Sequence, residues 1–125
     1  MVSLFGTDPP VERFADSLNR IYDIINSLWP RVVGAGVDVI LDFAFWERQA
    51  RYSARHLASQ AGAATRLYYV HCSEATARER CRTRNADLQG SLFISDDTFD
   101  VLRSRVEPLG PDEAYVFIDT EPHGP

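Results

Sequence analysis

The run Val37-Asp38-Val39-Ile40-Leu41-Asp42-Phe43 constrains this chain more than any other stretch. Gly34 and Gly36 lead into it, and Phe45-Trp46-Glu47-Arg48 opens a helix behind it. Val37, Val39, Ile40 and Leu41 make a nearly continuous β-branched and aliphatic run. Such runs belong to parallel strands covered on both faces. Asp42 closes it at the end where α/β proteins place their chemistry. The residue pattern leaves two readings of Asp42 open: a turn or helix-cap carboxylate, or a functional one.

At 125 residues the chain is one domain by length, with a modest core. Its 45% apolar and 25% charged residues are ordinary for a soluble globular protein. The net charge of −5 gives no support to a nucleic-acid or anionic-membrane surface. All 13 basic residues are arginines, so no lysine of this chain can bind phosphate or form a Schiff base. Cys72 and Cys81 have no metal-ligand spacing, and no signal peptide precedes them. The expected setting is a reduced, cytoplasmic one. No apolar run approaches the roughly 18 residues of a membrane helix.

Asp8-Pro9-Pro10 reads as a helix start, with Asp8 as N-cap and Pro9 at the first helical position. Val11, Phe14, Leu18, Ile21, Tyr22, Ile25, Leu28 and Trp29 then recur at helical spacing. Pro30 is expected to kink or end this helix, with Val32-Val33 adding at most one turn. A second helix spans about Trp46 to Ala61, with Gly62 as its C′ residue. Arg48, Arg51 and Arg55 share a face of it, and such rows are commonly solvated. Arg48 differs because it stands in the first turn, near Asp42, where it could reach an anion outside the sheet. Thr65 to Cys72 is a second strand, and Ser73 caps a helix to about Ala86. On that helix Arg80 and Arg84 are adjacent. They either clamp a polyphosphate or belong to an exposed face of Glu-Arg pairs. Ser95 caps a helix from Asp96 to about Val106, and Tyr115 to Ile118 is a third strand ending in Asp119-Thr120.

Strands alternating with helices imply a parallel sheet with right-handed crossovers. Two functions of different class fit it. One is a nucleotide- or phosphate-handling α/β enzyme; the other is a non-catalytic α/β module that binds a partner.

A resemblance enters with particular residues. Val39-Ile-Leu-Asp42-Phe-Ala-Phe-Trp46 with Arg48 resembles the third-strand segment of small P-loop kinases. Cys72-Ser-Glu, Glu79-Arg80 and Arg84-Asn85 resemble their fourth strand and lid helix. Phe93-Ile-Ser95-Asp, Glu107-Pro108, Pro111-Asp-Glu113 and Ile118-Asp119-Thr120 resemble the end of the same domain. The group is the AAA-type ATP-binding kinases, including zeta-toxin-like, chloramphenicol-phosphotransferase-like and polynucleotide-kinase-like proteins. What it implies is a three-layer α/β fold, a parallel sheet with flanking helices, and phosphoryl transfer from ATP with Mg²⁺. By resemblance, Asp42 takes the place of the catalytic carboxylate that holds the metal through water. Arg80, Arg84 and Thr120 take the places of the nucleotide-binding lid and adenine-loop residues. Arg48 would face an unknown small-molecule acceptor; relatives also use a nucleotide or a nucleic-acid end, and the net charge of −5 argues mildly against the last.

The chain departs from that family in one severe respect. G-x-x-x-x-G-K-[ST], which supplies the N–H cradle, the phosphate lysine and the Mg²⁺ hydroxyl, is absent. So is the family's second strand. The chain as a whole, residues 1–125, resembles a single partial domain truncated at its N-terminus by about 40 residues, one βαβ unit. Relatives order their sheet 2-3-1-4-5, so Val37–Phe43 would lose its neighbour on one side. The expectations are three parallel strands at Val37–Phe43, Thr65–Cys72 and Ala114–Ile118. Asp42, Arg80, Arg84 and Thr120 are expected at one sheet edge. The chain by itself is expected to be inactive.

Overall fold

The computed structural model of the protein describes residues 11–87 and 92–122. The expected Asp8–Pro9 helix start lies outside them. The described elements are α1 (Val11–Gly34), α2 (Arg48–Gln60), β1 (Tyr68–His71), α3 (Glu74–Ala86), α4 (Asp96–Ser104) and β2 (Val116–Asp119). The chain forms two compact units. One comprises 11–66 with Arg105–Asp112; the other comprises Leu67–Ser104 and the chain from Glu113 onward.

In the first unit α1 does not end at Pro30 but continues to Gly34, through the further turn that Val32-Val33 allowed. A proline removes one N–H. Trp29, immediately before it, is only 6% exposed, and burial of that face outweighs one lost bond. The helix stops where the backbone turns left-handed at Gly36, φ 83°. There Val37 N–H reaches Val32 C=O and Gly36 N–H reaches Val33 C=O. This pair of bonds is a Schellman cap. α2 ends the same way: Gly62 has φ 76°, with Ala63 N–H on Ala58 C=O and Gly62 N–H on Ser59 C=O. Gly62 is thus the C′ residue its sequence position predicted. α1 and α2 pack on each other.

The run Val37–Phe43 is not the expected strand. It is extended but pairs with no strand among the described residues. Its exposure still alternates. Val39, Leu41, Phe43 and Phe45 are half-buried, while Asp38, Ile40, Asp42 and Ala44 face solvent. Phe43 meets Tyr22 of α1 edge-on at 5.2 Å and Phe45 at 5.6 Å. One side of the segment is held by aromatic packing, and its backbone has no ladder.

Among the described residues the sheet of the second unit has two strands, and the expected third, Val37–Phe43, is not one of them. β1 and β2 run parallel with Tyr68 opposite Val116, Tyr69 opposite Phe117, Val70 opposite Ile118 and His71 opposite Asp119. The ladder is extended by Val116 N–H to Leu67 C=O and Thr120 N–H to His71 C=O. Tyr68, Val70, Val116 and Ile118 on one face are exposed, as are Tyr69 and Phe117 on the other. Tyr69 meets both Tyr115 and Phe117 in edge-on contacts.

Candidate functional site

α3 begins where Ser73 Oγ accepts the Thr76 N–H at 3.2 Å, the cap that its serine predicted. Helical spacing then lines up Thr76, Glu79, Arg80, Thr83 and Arg84 on one face. With Pro122 these residues enclose a shallow pocket of about 390 Å³.

The four arginines of α3 do three different jobs. Arg78 donates to Glu74 one turn before it and to Asp100 of α4, and lies 4.4 Å from the centroid of the Phe99 ring. Those bonds, to Asp100 first and Glu74 next, raise its pKa further above the usual guanidinium range. Arg82 reaches Asp96 at 3.2 Å. These two fasten α4 to α3. Arg80 donates through Nη1 to Thr120 Oγ1 at 3.0 Å and through Nη2 to the Thr120 carbonyl. The Thr120 hydroxyl in turn donates to His71 C=O at 2.9 Å. Arg84 touches only Cys81 Sγ, at 3.8 Å, and has no carboxylate partner among the described residues. Beside them Glu121 accepts from the Ser73 N–H and, at 2.6 Å, from the Thr76 hydroxyl. The Thr76 hydroxyl first and the Ser73 N–H second pull the Glu121 carboxyl down to about 2.

Of the residues that the sequence nominated, Arg80, Arg84 and Thr120 thus lie together in the second unit. Asp42 and Arg48 belong to the first. Asp42 is exposed on the outward side of the extended segment. Arg48 donates from Nη2 to both carboxylate oxygens of Asp112, at 2.5 and 2.6 Å, and Tyr52 Oη donates to the same carboxylate at 2.9 Å. Tyr52 and then Arg48 hold the Asp112 carboxyl below its ordinary value of 3.8. Glu47, at the N-cap of α2, makes no side-chain cap. Glu107 replaces it, accepting the Arg48 N–H at 2.5 Å. A carboxylate at a helix N-terminus satisfies an orphan donor and complements the dipole. The anion near Arg48 is therefore supplied by the chain's own Glu107 and Asp112.

Sequence reasoning missed Arg51, Asp112, Glu107 and Glu121. Arg51 was read with the solvated row, yet it is 4% exposed. Its Nη1 donates to the carbonyls of Phe45, Trp46 and Glu107, and Nη2 to that of Pro108, at 3.0 to 3.3 Å. Phe45, one of the residues it grips, has a left-handed φ of 44°.

Comparison with known proteins gives one match. The AAA domain family matches residues 2–109. Neither the curated proteins nor the solved structures give a match.

Proposed function

The chain belongs to the AAA domain family, which is P-loop NTPase-like and handles nucleotides. From that premise we propose that these residues are the base-side portion of an ATP-dependent small kinase. The observation that carries the reading is the α3 pocket, lined by Arg80, which is bonded to Thr120, and by an Arg84 with no carboxylate partner among the described residues. Arg84 is the cation for the nucleotide's phosphates, and Arg80, held by Thr120, forms part of the wall of its base pocket. Asp42 is the carboxylate that would hold Mg²⁺ through water, and Arg48 marks the acceptor side. The acceptor is a small molecule in a cytoplasmic setting, since the net charge of −5 disfavours a nucleic-acid end.

The residues present do not by themselves complete a site for the triphosphate and its metal. No Gly-Lys-Ser or Gly-Lys-Thr occurs in the 125 residues, and there is no lysine at all. Among the described residues no three His, Cys, Asp or Glu side chains gather as a metal site. Arg80 is committed to Thr120. We therefore assign no catalytic step to this chain. The N–H cradle, the lysine and the metal hydroxyl are to be supplied from outside these residues, by a strand–loop–helix unit of about 40 residues. The segment at Val37–Phe43 supports this reading, because it has the alternation of a strand and no neighbouring strand among the described residues.

Calorimetric titration of the 125-residue chain with MgATP tests the proposal. Absent or very weak binding and no phosphoryl transfer are expected. Losing one preorganised donor alone costs on the order of 10²–10³ in rate. Joining a strand–loop–helix unit that carries a P-loop in cis is expected to confer both. Micromolar one-to-one binding by the chain as it stands would overturn the reading, because the arginines would then build a phosphate site of their own.

A further inference from the structure

Five of the six residues lining the α3 pocket sit on one helix face, and a helix face is convex. It makes a pocket only if something stands opposite, and Pro122 is what stands there. The question is what holds Pro122 in place. On its N-terminal side are two independent clasps. Arg80 grips Thr120 by hydroxyl and carbonyl. Glu121 places its carboxylate on the Ser73 N–H and the Thr76 hydroxyl, at the start of α3.

We propose that Glu121 is the positioning residue of this pocket: its carboxylate pins the loop after β2 to the first turn of α3 and so sets Pro122 as the facing wall. The proposal rests on the nucleotide reading only for what the pocket binds. Its chemistry is that of a helix N-terminus, where N–H groups lack intrahelical partners and the dipole favours an anion. The anion here comes from 48 residues away in sequence and fastens two chain segments at once. Arg80 attracts the carboxylate. Among the described residues the acid bonded to Glu121 is Asp119, whose carboxylate accepts the Glu121 backbone N–H at 3.1 Å. With Arg80 and Glu121 both spent on the loop, Arg84 is left as the cation facing a ligand.

The test is amide hydrogen exchange on the whole 125-residue chain, wild type against Glu121→Ala and Glu121→Gln. In Glu121→Ala the Ser73 and Thr120 amides are expected to exchange about tenfold faster, with α4 protection unchanged. Glu121→Gln keeps one acceptor oxygen and is expected to fall between. In wild type the Ser73 protection, corrected for intrinsic rates, is full above pH 4.5 and lost as pH falls towards 2. The direction follows from a folded pKa depressed below the unfolded one. That pH dependence is expected to vanish in Glu121→Ala. Equal protection in wild type and Glu121→Ala would overturn the clasp. Adenosine monophosphate reads the ligand separately, through shifts of the Thr83 and Arg84 amides. Shifts several-fold weaker in Glu121→Ala support the positioning role, and equal shifts overturn it. No shift even in wild type is the outcome expected of a chain without the phosphate cradle, and the exchange result alone then decides the clasp.

Discussion

Arg51 stands three residues after Arg48 in what reads as a solvated row, and it is instead the most thoroughly bonded buried side chain of its unit. A guanidinium has five donors in a planar fork, which suits several carbonyls arranged around it. Those carbonyls come from Phe45 and Trp46 on one side and from Glu107 and Pro108 on the other. Arg51→Met keeps the apolar stem and leaves the carbonyls unpaired. It is expected to cost about 2–3 kcal/mol, measured by urea denaturation followed through Trp29 and Trp46, which both lie in this unit. Arg51→Lys is expected to recover only part of the loss. A change below about 0.5 kcal/mol in Arg51→Met would contradict the assignment. At this scale legibility follows sequence distance. The Ser73 and Ser95 caps and the Gly62 turn could be read because each partner lies within a few residues. Arg51 and Glu121 could not, because the Glu107 carbonyl that Arg51 reaches and the Ser73 N–H that Glu121 accepts stand 56 and 48 residues away.

The elements tell a similar story. α1, α2, α3, α4, β1 and β2 all arise where the residue pattern put them, with ends shifted by a few residues. The exception is Val37–Phe43. Its composition is that of a buried strand, but a strand exists only through its neighbour's hydrogen bonds. No neighbour can be inferred from the composition of the run itself. The alternation that remains makes opposite predictions for adjacent residues. Ile40 is 93% exposed, so Ile40→Lys is expected to leave the stability of the chain unchanged within about 0.5 kcal/mol. Phe43 is half-buried against Tyr22 and Phe45, so Phe43→Ala is expected to cost about 2 kcal/mol. Equal effects of the two substitutions in thermal or urea unfolding would contradict the one-sided docking of this segment.

For the whole molecule, what could be read was the class of fold and the order of its elements; what could not was the size of the sheet. Parallel sheets ordinarily have both faces covered. Here a two-stranded parallel sheet leaves Tyr68, Val70, Val116, Phe117 and Ile118 exposed. Each strand also keeps one open edge among the described residues. Open edges beside apolar faces favour edge-to-edge association. The purified chain is therefore expected to bind an apolar-surface dye in its native state and to self-associate as concentration rises. Sedimentation at a series of concentrations is the check, and a monomer without dye binding across the range would contradict it. Coverage of the same surface by an added strand–loop–helix unit is expected to suppress both signals.

The grip of Arg51 also sets an order of events during synthesis. Its acceptors at Glu107 and Pro108 follow it by 56 and 57 residues, and the carboxylate that caps α2 is on Glu107 as well. While the chain is still emerging from the ribosome, α2 and the turn at Phe45 must wait for those residues. They have to persist half-closed until everything from Leu67 to Ser104 has been translated. A nascent chain stalled anywhere in that interval exposes the α2 N-terminus with its donors unmet, to solvent or to a chaperone.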